Sequence, residues 1–325
     1  MSTRHHLLQL LSDGAFHSGT ALGEQLGISR AAVNKAVQAL VRTGFDIHRI
    51  SGRGYRLGEP FRPLSESAIQ AQLAEQGIAS AVEVLEDVDS TSQHLLRATG
   101  PDESGGRVCL SESQSAGRGR RGRGWVATPY RNLLLSIAWR FEFGPAAMAG
   151  LSLAAGVAVL QALDEFGVHD AGLKWPNDIL LDGRKLAGLL VDVRGEVAGP
   201  SFAVLGLGLN VQLDARDVAL IDQPWAALAE RLPPPVDRNR LAALVVARLV
   251  GMFRIFERSG FESFHAEWER RHVYAGKPVR LFAGQGEVTG LAEGIDHQGG
   301  LRLRDASGRV QTFYSGEVSL RAGAG

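Results

Sequence analysis

Residues 117–125 read GRGRRGRGW, so four guanidinium groups (Arg118, Arg120, Arg121 and Arg123) fall within six positions. Planar guanidinium forks grip carboxylate and phosphate oxygens two at a time, and interleaved glycines such as Gly119 permit positive φ and close backbone approach. Like charges this close repel, so the loop is expected to become ordered when an anion arrives. Trp125 offers a face to stack on a base or cover an apolar ligand. Taken alone, the same stretch also reads as an RNA-binding or merely solvated Arg-Gly segment. Further along, KWPNDILL at 174–181 and RKLAG at 184–188 set Lys174 and Lys185 beside strand-like runs, with Asn177 and Asp178 in a turn after Pro176. The chain has only 4 Lys among its 35 basic residues. A Lys here therefore points to a site that wants a compact point charge rather than a planar fork. GLGLN at 206–210 follows a β run, and Gly206 lets backbone come close to a ligand. The run DSTS at 89–92 precedes a helical stretch. It reads as an N-cap, and Ser90, Thr91 and Ser92 can equally bond a ligand's polar head if that cap faces a pocket.

Two familiar phosphate motifs are excluded. Gly117, Gly119 and Gly122 satisfy G-x-G-x-x-G, with Glu142 twenty residues past Gly122. A dinucleotide fold needs a helix after that turn, but WVATP at 125–129 cannot open one and 133–141 reads as a strand. No G-K-[ST] follows, so this is not a Walker loop.

The elements that must position these groups lie in three units: 1–63, 64–272 and 273–325. In the first, apolar periodicity gives a helix around Leu7–Leu11, a second over 19–26 and a third over 30–43. Val33, Val37, Leu40 and Val41 form the third helix's buried stripe, while Arg30, Asn34, Lys35 and Gln38 fall on its other faces. A β-hairpin over 45–57, with Arg53 at its tip, completes a winged helix-turn-helix. Asn34 and Gln38 can read base edges, and Arg30, Lys35 and Arg53 can meet phosphates. EPFRP at 59–63 reads as a linker. The middle unit mixes strands (82–88, 107–112, 133–141, 179–181, 186–193, 202–209) with helices (93–98, 148–166, 238–257), the last opened by Pro233, Pro234 and Pro235. That is an α+β or α/β arrangement. From 276 onward, short strands (278–282, 287–295, 301–304, 310–314, 318–320) predict a small SH3-like β-barrel.

At 325 residues, 45% hydrophobic and 22% charged, the chain is a multi-domain globular protein rather than a disordered or coiled-coil one. One Cys, Cys109, cannot form an internal disulfide, which points to a reducing compartment. The neutral total hides a polarity. Eight basic residues (Arg4, Arg30, Lys35, Arg42, Arg49, Arg53, Arg56, Arg62) against four acidic ones (Asp13, Glu24, Asp46, Glu59) leave 1–63 at +4 and the remainder at −4. The uncharged run 143–163 is rich in Ala and Gly and reads as a core helix rather than a membrane span. With no signal peptide at the start, the chain is expected to be cytoplasmic, with no membrane partner.

Taken together, G-R-G-R-R-G-R at 117–123, K-W-P-N-D at 174–178, R-K-L-A-G at 184–188 and G-x-G-x-N at 206–210 resemble the biotin protein ligase family, in its bifunctional form that also represses biotin synthesis genes. The resemblance spans the whole chain. It implies an α+β fold with a winged helix-turn-helix, a central mixed-sheet domain like the biotin/lipoate ligases and class II synthetases, and an SH3-like barrel. The implied reaction joins biotin's carboxylate to the α-phosphate of ATP with Mg²⁺, then passes the biotinyl group to a lysine of the biotin carboxyl carrier protein. Arg118, Arg120 and Arg121 are then expected on carboxylate and phosphates, Lys185 on the carboxylate and α-phosphate, and Ser90, Thr91, Ser92 and Gln114 at biotin's ureido ring with Gly119, Gly188 and Gly206. Trp125, Lys174, Asn177, Asn210 and Arg321 are expected at the adenylate. Asn177 and Asp178 are expected at Mg²⁺ or the incoming lysine. One departure is Ser92, where the family usually carries Asn. Operator DNA of biotin genes and an adenylate-promoted homodimer are the further implied partners. A lipoate–protein ligase, or a ligand-sensing transcription regulator without ligase activity, remain the alternatives.

Overall fold

The computed structural model describes residues 2–98, 106–196, 199–283, 286–314 and 318–322. The N-terminal head comprises α1 (Thr3–Leu11), α2 (Gly19–Leu26) and α3 (Arg30–Arg42), then the antiparallel pair β1 (Ile47–Ile50) and β2 (Gly54–Leu57). Ser2, Ser18 and Ser29 cap the three helices by accepting from first-turn amides. Gly27, in the left-handed region, ends α2 and turns the chain into α3. Leu7, Leu8, Leu11, Leu22, Val33, Val37 and Leu40 close the head's core. Val41, expected on that stripe, is instead 49% exposed. A helix turns about 100° per residue, and Leu40 already completes the buried face.

The expected linker is not a loose tether. Phe61 is buried with Phe45 and Tyr130 in the head's core, their rings packed edge to face. Arg238, itself buried, donates to Glu112 at 2.5 and 3.1 Å, to the carbonyl of Asn132 and to the carbonyl of Arg62. Glu112 also accepts from the Leu64 amide at 2.7 Å, while Asn239 bonds the Pro63 carbonyl and the Ser65 amide. The prolines at 60 and 63 announce extended backbone, but its polar groups are satisfied by the neighbouring domain.

The middle unit runs α4 (Glu66–Glu75), β3 (Val82–Val88), α5 (Thr91–Ala98), β4 (Arg107–Gln114), β5 (Leu133–Phe141), α6 (Leu151–Phe166), β6 (Ala171–Lys174), β7 (Asp178–Leu181), β8 (Arg184–Gly195), β9 (Ser201–Leu209), α7 (Ala215–Val218), α8 (Arg238–Ser259) and α9 (Glu262–Arg271). Its strands form one mixed sheet in the order β3-β4-β5-β9-β8-β7-β6, parallel only between β3 and β4. Helices α4, α7 and α9 and strand β6 were not anticipated, being short or nearly uniform in pattern. Helix α5 starts two residues earlier than expected. Helix α6 begins at Leu151 rather than 148, because Gly150 adopts φ +80° and a Cβ there would lie 2.6 Å from Phe261. Asp237, not the three prolines, caps α8, accepting from Asn239 and Arg240 amides. The 22-residue stretch Pro145–Phe166 is long and apolar enough to cross a membrane, yet most of its side chains are buried inside the fold.

The C-terminal unit is β10 (Pro278–Ala283), β11 (Gly286–Ile295), β12 (Leu301–Arg304), β13 (Val310–Phe313) and β14 (Val318–Ala322), an antiparallel sheet in the order β13-β12-β11-β10-β14. Val279, Leu281, Ala292, Ile295, Leu301 and Leu303 belong to the same apolar cluster as the central sheet. Barrel and ligase-like domain therefore share one core.

Candidate active site

A cavity of about 660 Å³ opens between the GRGRRGR loop, the start of α5 and strands β8 and β9. Its walls bring together residues from 90 to 274 in the sequence, including Ser90, Thr91, Ser92, Gln114, Arg118, Gly119, Arg120, Arg121, Trp125, Lys174, Asn177, Asp178, Lys185, Gly188 and Gly206.

One end is a hydroxyl network. Gln114 Oε1 accepts from both the amide (2.7 Å) and the hydroxyl (3.0 Å) of Thr91. The Thr91 hydroxyl, having spent its proton, then accepts from Ser136 at 2.7 Å, and Ser136 accepts from Ser92 at 2.9 Å. Ser136 is buried within the apolar run of β5 and was not anticipated. Ser92 is thus held by a neighbour rather than left short. A Cβ on Gly206 would stand 2.5 Å from Ser92 Oγ, so the strand passes here only as glycine. Next to the cap, Arg97 clamps Asp89 from two sides and lowers its pKa to about 2, fixing the turn that presents Ser90.

The opposite wall is cationic. Within the loop, Gly119 N–H donates to the Arg123 carbonyl at 2.7 Å and Trp125 N–H to Gly117 at 2.9 Å, so the turn carries backbone bonds of its own. Arg121 and Gly122, rather than Gly119, occupy the left-handed region, with φ +58° and +73°. Arg118 lies 3.6 Å from Asp192 on β8. Arg120 donates to Asn177 Oδ1 at 3.4 Å, and burial, then repulsion from Arg121, lowers its pKa. That is the signature of a cation set where an anion would repay its desolvation. The Trp125 indole lies against the strand backbones. A Cβ on Gly188 would come within 3.1 Å of the ring and one on Gly208 within 2.4 Å. Lys185 Nζ sits 5.5 Å from the ring centroid.

Asp178 stands between the two lysines, 2.7 Å from Lys185 Nζ and 3.5 Å from Lys174 Nζ. Burial first, and Asp178 second, raises the pKa of Tyr274, which borders the cavity. Asn177 donates to the Leu189 carbonyl at 2.5 Å, so its amide braces β8 while its oxygen holds Arg120. Trp175 anchors this turn by donating to the Gly299 carbonyl of the barrel at 2.9 Å. Asn210 does not reach the cavity. Buried behind it, Asn210 donates to the carbonyls of Lys185 and Ala226, tying β8 to the segment that follows β9. That segment supplies Leu220, Asp222, Gln223 and Pro224 to the rim, and Pro224 O accepts from the Lys185 amide. Only the cluster of Gln, Pro and Trp at 223–225 hinted at it in the sequence. Arg321 lies on β14 opposite Arg280, but its side chain is outside the described residues.

On the head, Arg30, Lys35 and Gln38 of α3 are exposed, as is Arg53, whose guanidinium lies 4.3 Å over Phe16. Asn34 is half-buried and its side-chain oxygen accepts from the Tyr55 hydroxyl at 3.3 Å.

Family models match three parts of the chain: an HTH domain over 3–56, the biotin/lipoate A/B protein ligase family over 84–210, and the biotin protein ligase C-terminal domain over 274–321. The bifunctional ligase/repressor BirA of Escherichia coli is 40% identical over 97% of this chain and 96% of its own length. This chain belongs to the bifunctional biotin protein ligase and repressor family. The biotin–[acetyl-CoA-carboxylase] ligase of Mycobacterium tuberculosis is 38% identical over 79% of this ligase and 95% of its own length. Among solved structures, the biotin protein ligase of Aquifex aeolicus in complex with biotin and ATP superposes with a TM-score of 0.64 at 27% identity, covering 75% of this ligase and 100% of that chain.

Proposed function

We propose that in this cavity biotin's carboxylate attacks the α-phosphate of ATP, forming biotinyl-5′-adenylate as pyrophosphate leaves, and that the biotinyl group then passes to a lysine of the biotin carboxyl carrier protein. The observation that carries this reading is the cavity's polarity. Its hydroxyl end suits a ureido ring, and its walls hold six cationic side chains (Arg118, Arg120, Arg121, Arg123, Lys174, Lys185) against two carboxylates (Asp178, Asp222). A carboxylate and a triphosphate repel each other, so fixed cations lower the barrier to bringing them together. Lys185 is paired with Asp178 and can shift to the reacting carboxylate, Arg118 and Arg120 face the same charge, and Trp125 covers the adenine. In the second step the carrier's amine attacks the adenylate carbonyl, AMP leaves, and the amine's proton goes to solvent or to Asp178.

Asn177 and Asp178 do not fit a Mg²⁺ site. Mg²⁺ asks for free oxygen ligands, whereas Asp178 is neutralised by two ammonium groups and Asn177 is engaged at both its amide atoms. The head is read as an operator-binding module through Arg30, Lys35, Gln38 and Arg53, placing the protein in the cytoplasm with its DNA and carrier. Dimerisation is read at β8. Strand β7 pairs it only as far as Gly188, leaving its outer edge from Leu190 to Gly195 without a strand partner among the described residues. Asp192 on that stretch meets Arg118 of the ligand loop, which supports coupling between adenylate and dimer. Sedimentation with and without biotinyl-adenylate tests the dimer, and no shift would refute it. Exchange of labelled pyrophosphate into ATP tests the ligase reading: it should require biotin, and exchange driven equally by lipoate would overturn the assignment.

A further inference from the structure

Away from the cavity, three side chains of different chemistry converge from three elements. Glu83 on β3 stands opposite Cys109 on β4 in the parallel register, and α5 lowers His94 onto the pair. His94 Nε2 lies 2.9 Å from Glu83 Oε2. One donor atom from each residue lies within 4.8 Å of the others. Cys109 is fully buried among Leu95, Leu96 and Phe202, whereas Glu83 and His94 are half-exposed. The cluster has a closed apolar floor and a polar mouth, so an ion could enter past the imidazole and carboxylate to reach the sulfur.

We propose that Glu83, His94 and Cys109 bind a divalent cation of borderline softness, with Zn²⁺ the natural occupant. Thiolate, imidazole and carboxylate together form a donor set that zinc accepts readily and that magnesium or calcium does not. With zinc–ligand distances of about 2.0–2.3 Å, donors in a tetrahedral shell sit roughly 3.5 Å apart, so small side-chain rotations close the site. Water completes the coordination. Binding replaces the thiol proton: Cys–SH and M²⁺ give Cys–S⁻ bound to M²⁺, with one H⁺ released. The charged groups facing the sulfur are Glu83 from β3, His94 from α5 and Arg107 from β4, whose guanidinium lies 3.9 Å from the Glu83 carboxylate. Arg107 offsets part of the negative charge created when the thiol ionises. Because α5 carries Ser90, Thr91 and Ser92 at its start, an ion here would pin the helix that presents the cavity's hydroxyl end.

Cobalt(II) titration of the full-length chain tests the site cleanly. The chain holds 1 Cys, so any sulfur-to-cobalt charge-transfer band reports Cys109 alone. The expected result is a band saturating at one equivalent, bleached by Zn²⁺ and absent from Cys109→Ser. His94→Gln and Glu83→Gln, at half-exposed positions, should each weaken binding at least tenfold, and they carry the test if Cys109→Ser does not fold. No band at saturating cobalt would overturn the proposal, as would unchanged affinity in both of those variants.

Discussion

Gly208→Ala is the sharpest perturbation of the Trp125 wall of the cavity. A methyl at this position would lie 2.4, 2.7 and 2.8 Å from three atoms of the Trp125 ring system, where ordinary contacts are 3.4 Å or more. Both neighbouring strands hold the Gly208 backbone, so the indole must retreat by about 1 Å. Overpacking of this kind typically costs about 1–3 kcal/mol. If Trp125 covers the adenine, the displaced ring also forfeits about 1–3 kcal/mol of stacking, so the adenylate should bind about 5- to 150-fold more weakly. Gly188→Ala is the internal scale. Its methyl would meet the same ring at 3.1 Å and Lys185 Cε and Nζ at 3.2 and 3.3 Å, contacts that shifts of a few tenths of an ångström relieve, so its effect on the ring should be several-fold smaller. Biotinyl-adenylate dissociation, followed by stopped flow with Trp fluorescence, reads both variants. Unchanged dissociation in Gly208→Ala would refute the placement of Trp125 over the nucleotide.

Gly206→Ala should act at the other end, because its methyl would fall 2.5 Å from Ser92 Oγ. The expected result is a raised KM for biotin with the KM for ATP unchanged; equal effects on both would count against a hydroxyl end reserved for biotin. Arg238→Met strips the partner from buried Glu112 and should destabilise by about 3–5 kcal/mol, with Glu112→Gln in the same chain restoring part of it. Thermal melting checks this, and an unchanged Tm would contradict the clamp on 62–65. The His272 ring lies 4.6 Å from that of Trp268 at a tilt of 34°, and neither ring nitrogen has a hydrogen-bond partner among the described residues. Burial, then Lys277, lowers its pKa to about 4. Because the folded value lies below the ordinary 6.5, the native state resists protonation. Its contribution is fully present above about pH 6.5 and is lost as pH falls towards 4, by up to about 3 kcal/mol. Urea denaturation across that range should show the loss, and His272→Leu should flatten it; an identical slope would argue for another group.

What could be read from the chain alone was whatever depends on side-chain type at fixed spacing. The Arg loop, the lysines at 174 and 185 and the hydroxyls at 90–92 all line the cavity. Residues whose work is done through their neighbours were not legible. Ser136 sits in an apolar strand and gains meaning only because Thr91 and Ser92 fold over it. Asn210 shares a glycine-rich motif with Gly206, but its amide turns inward to carbonyls of Lys185 and Ala226. The 59–63 segment has a linker's composition, yet Arg238 and Asn239, some 175 positions away, take up its carbonyls. The rim at 220–224 has no periodicity, so only the Gln, Pro and Trp at 223–225 hinted at it.

The measurement that bears most directly on the central claim is mass spectrometry of a purified biotin carboxyl carrier domain incubated with this protein, ATP and either biotin or lipoate. The expected outcome is a single biotinyl addition at one lysine, dependent on ATP, lost with Lys185→Met and not matched by lipoate. A carrier that leaves the reaction unmodified, or one that takes lipoate as readily as biotin, would contradict it.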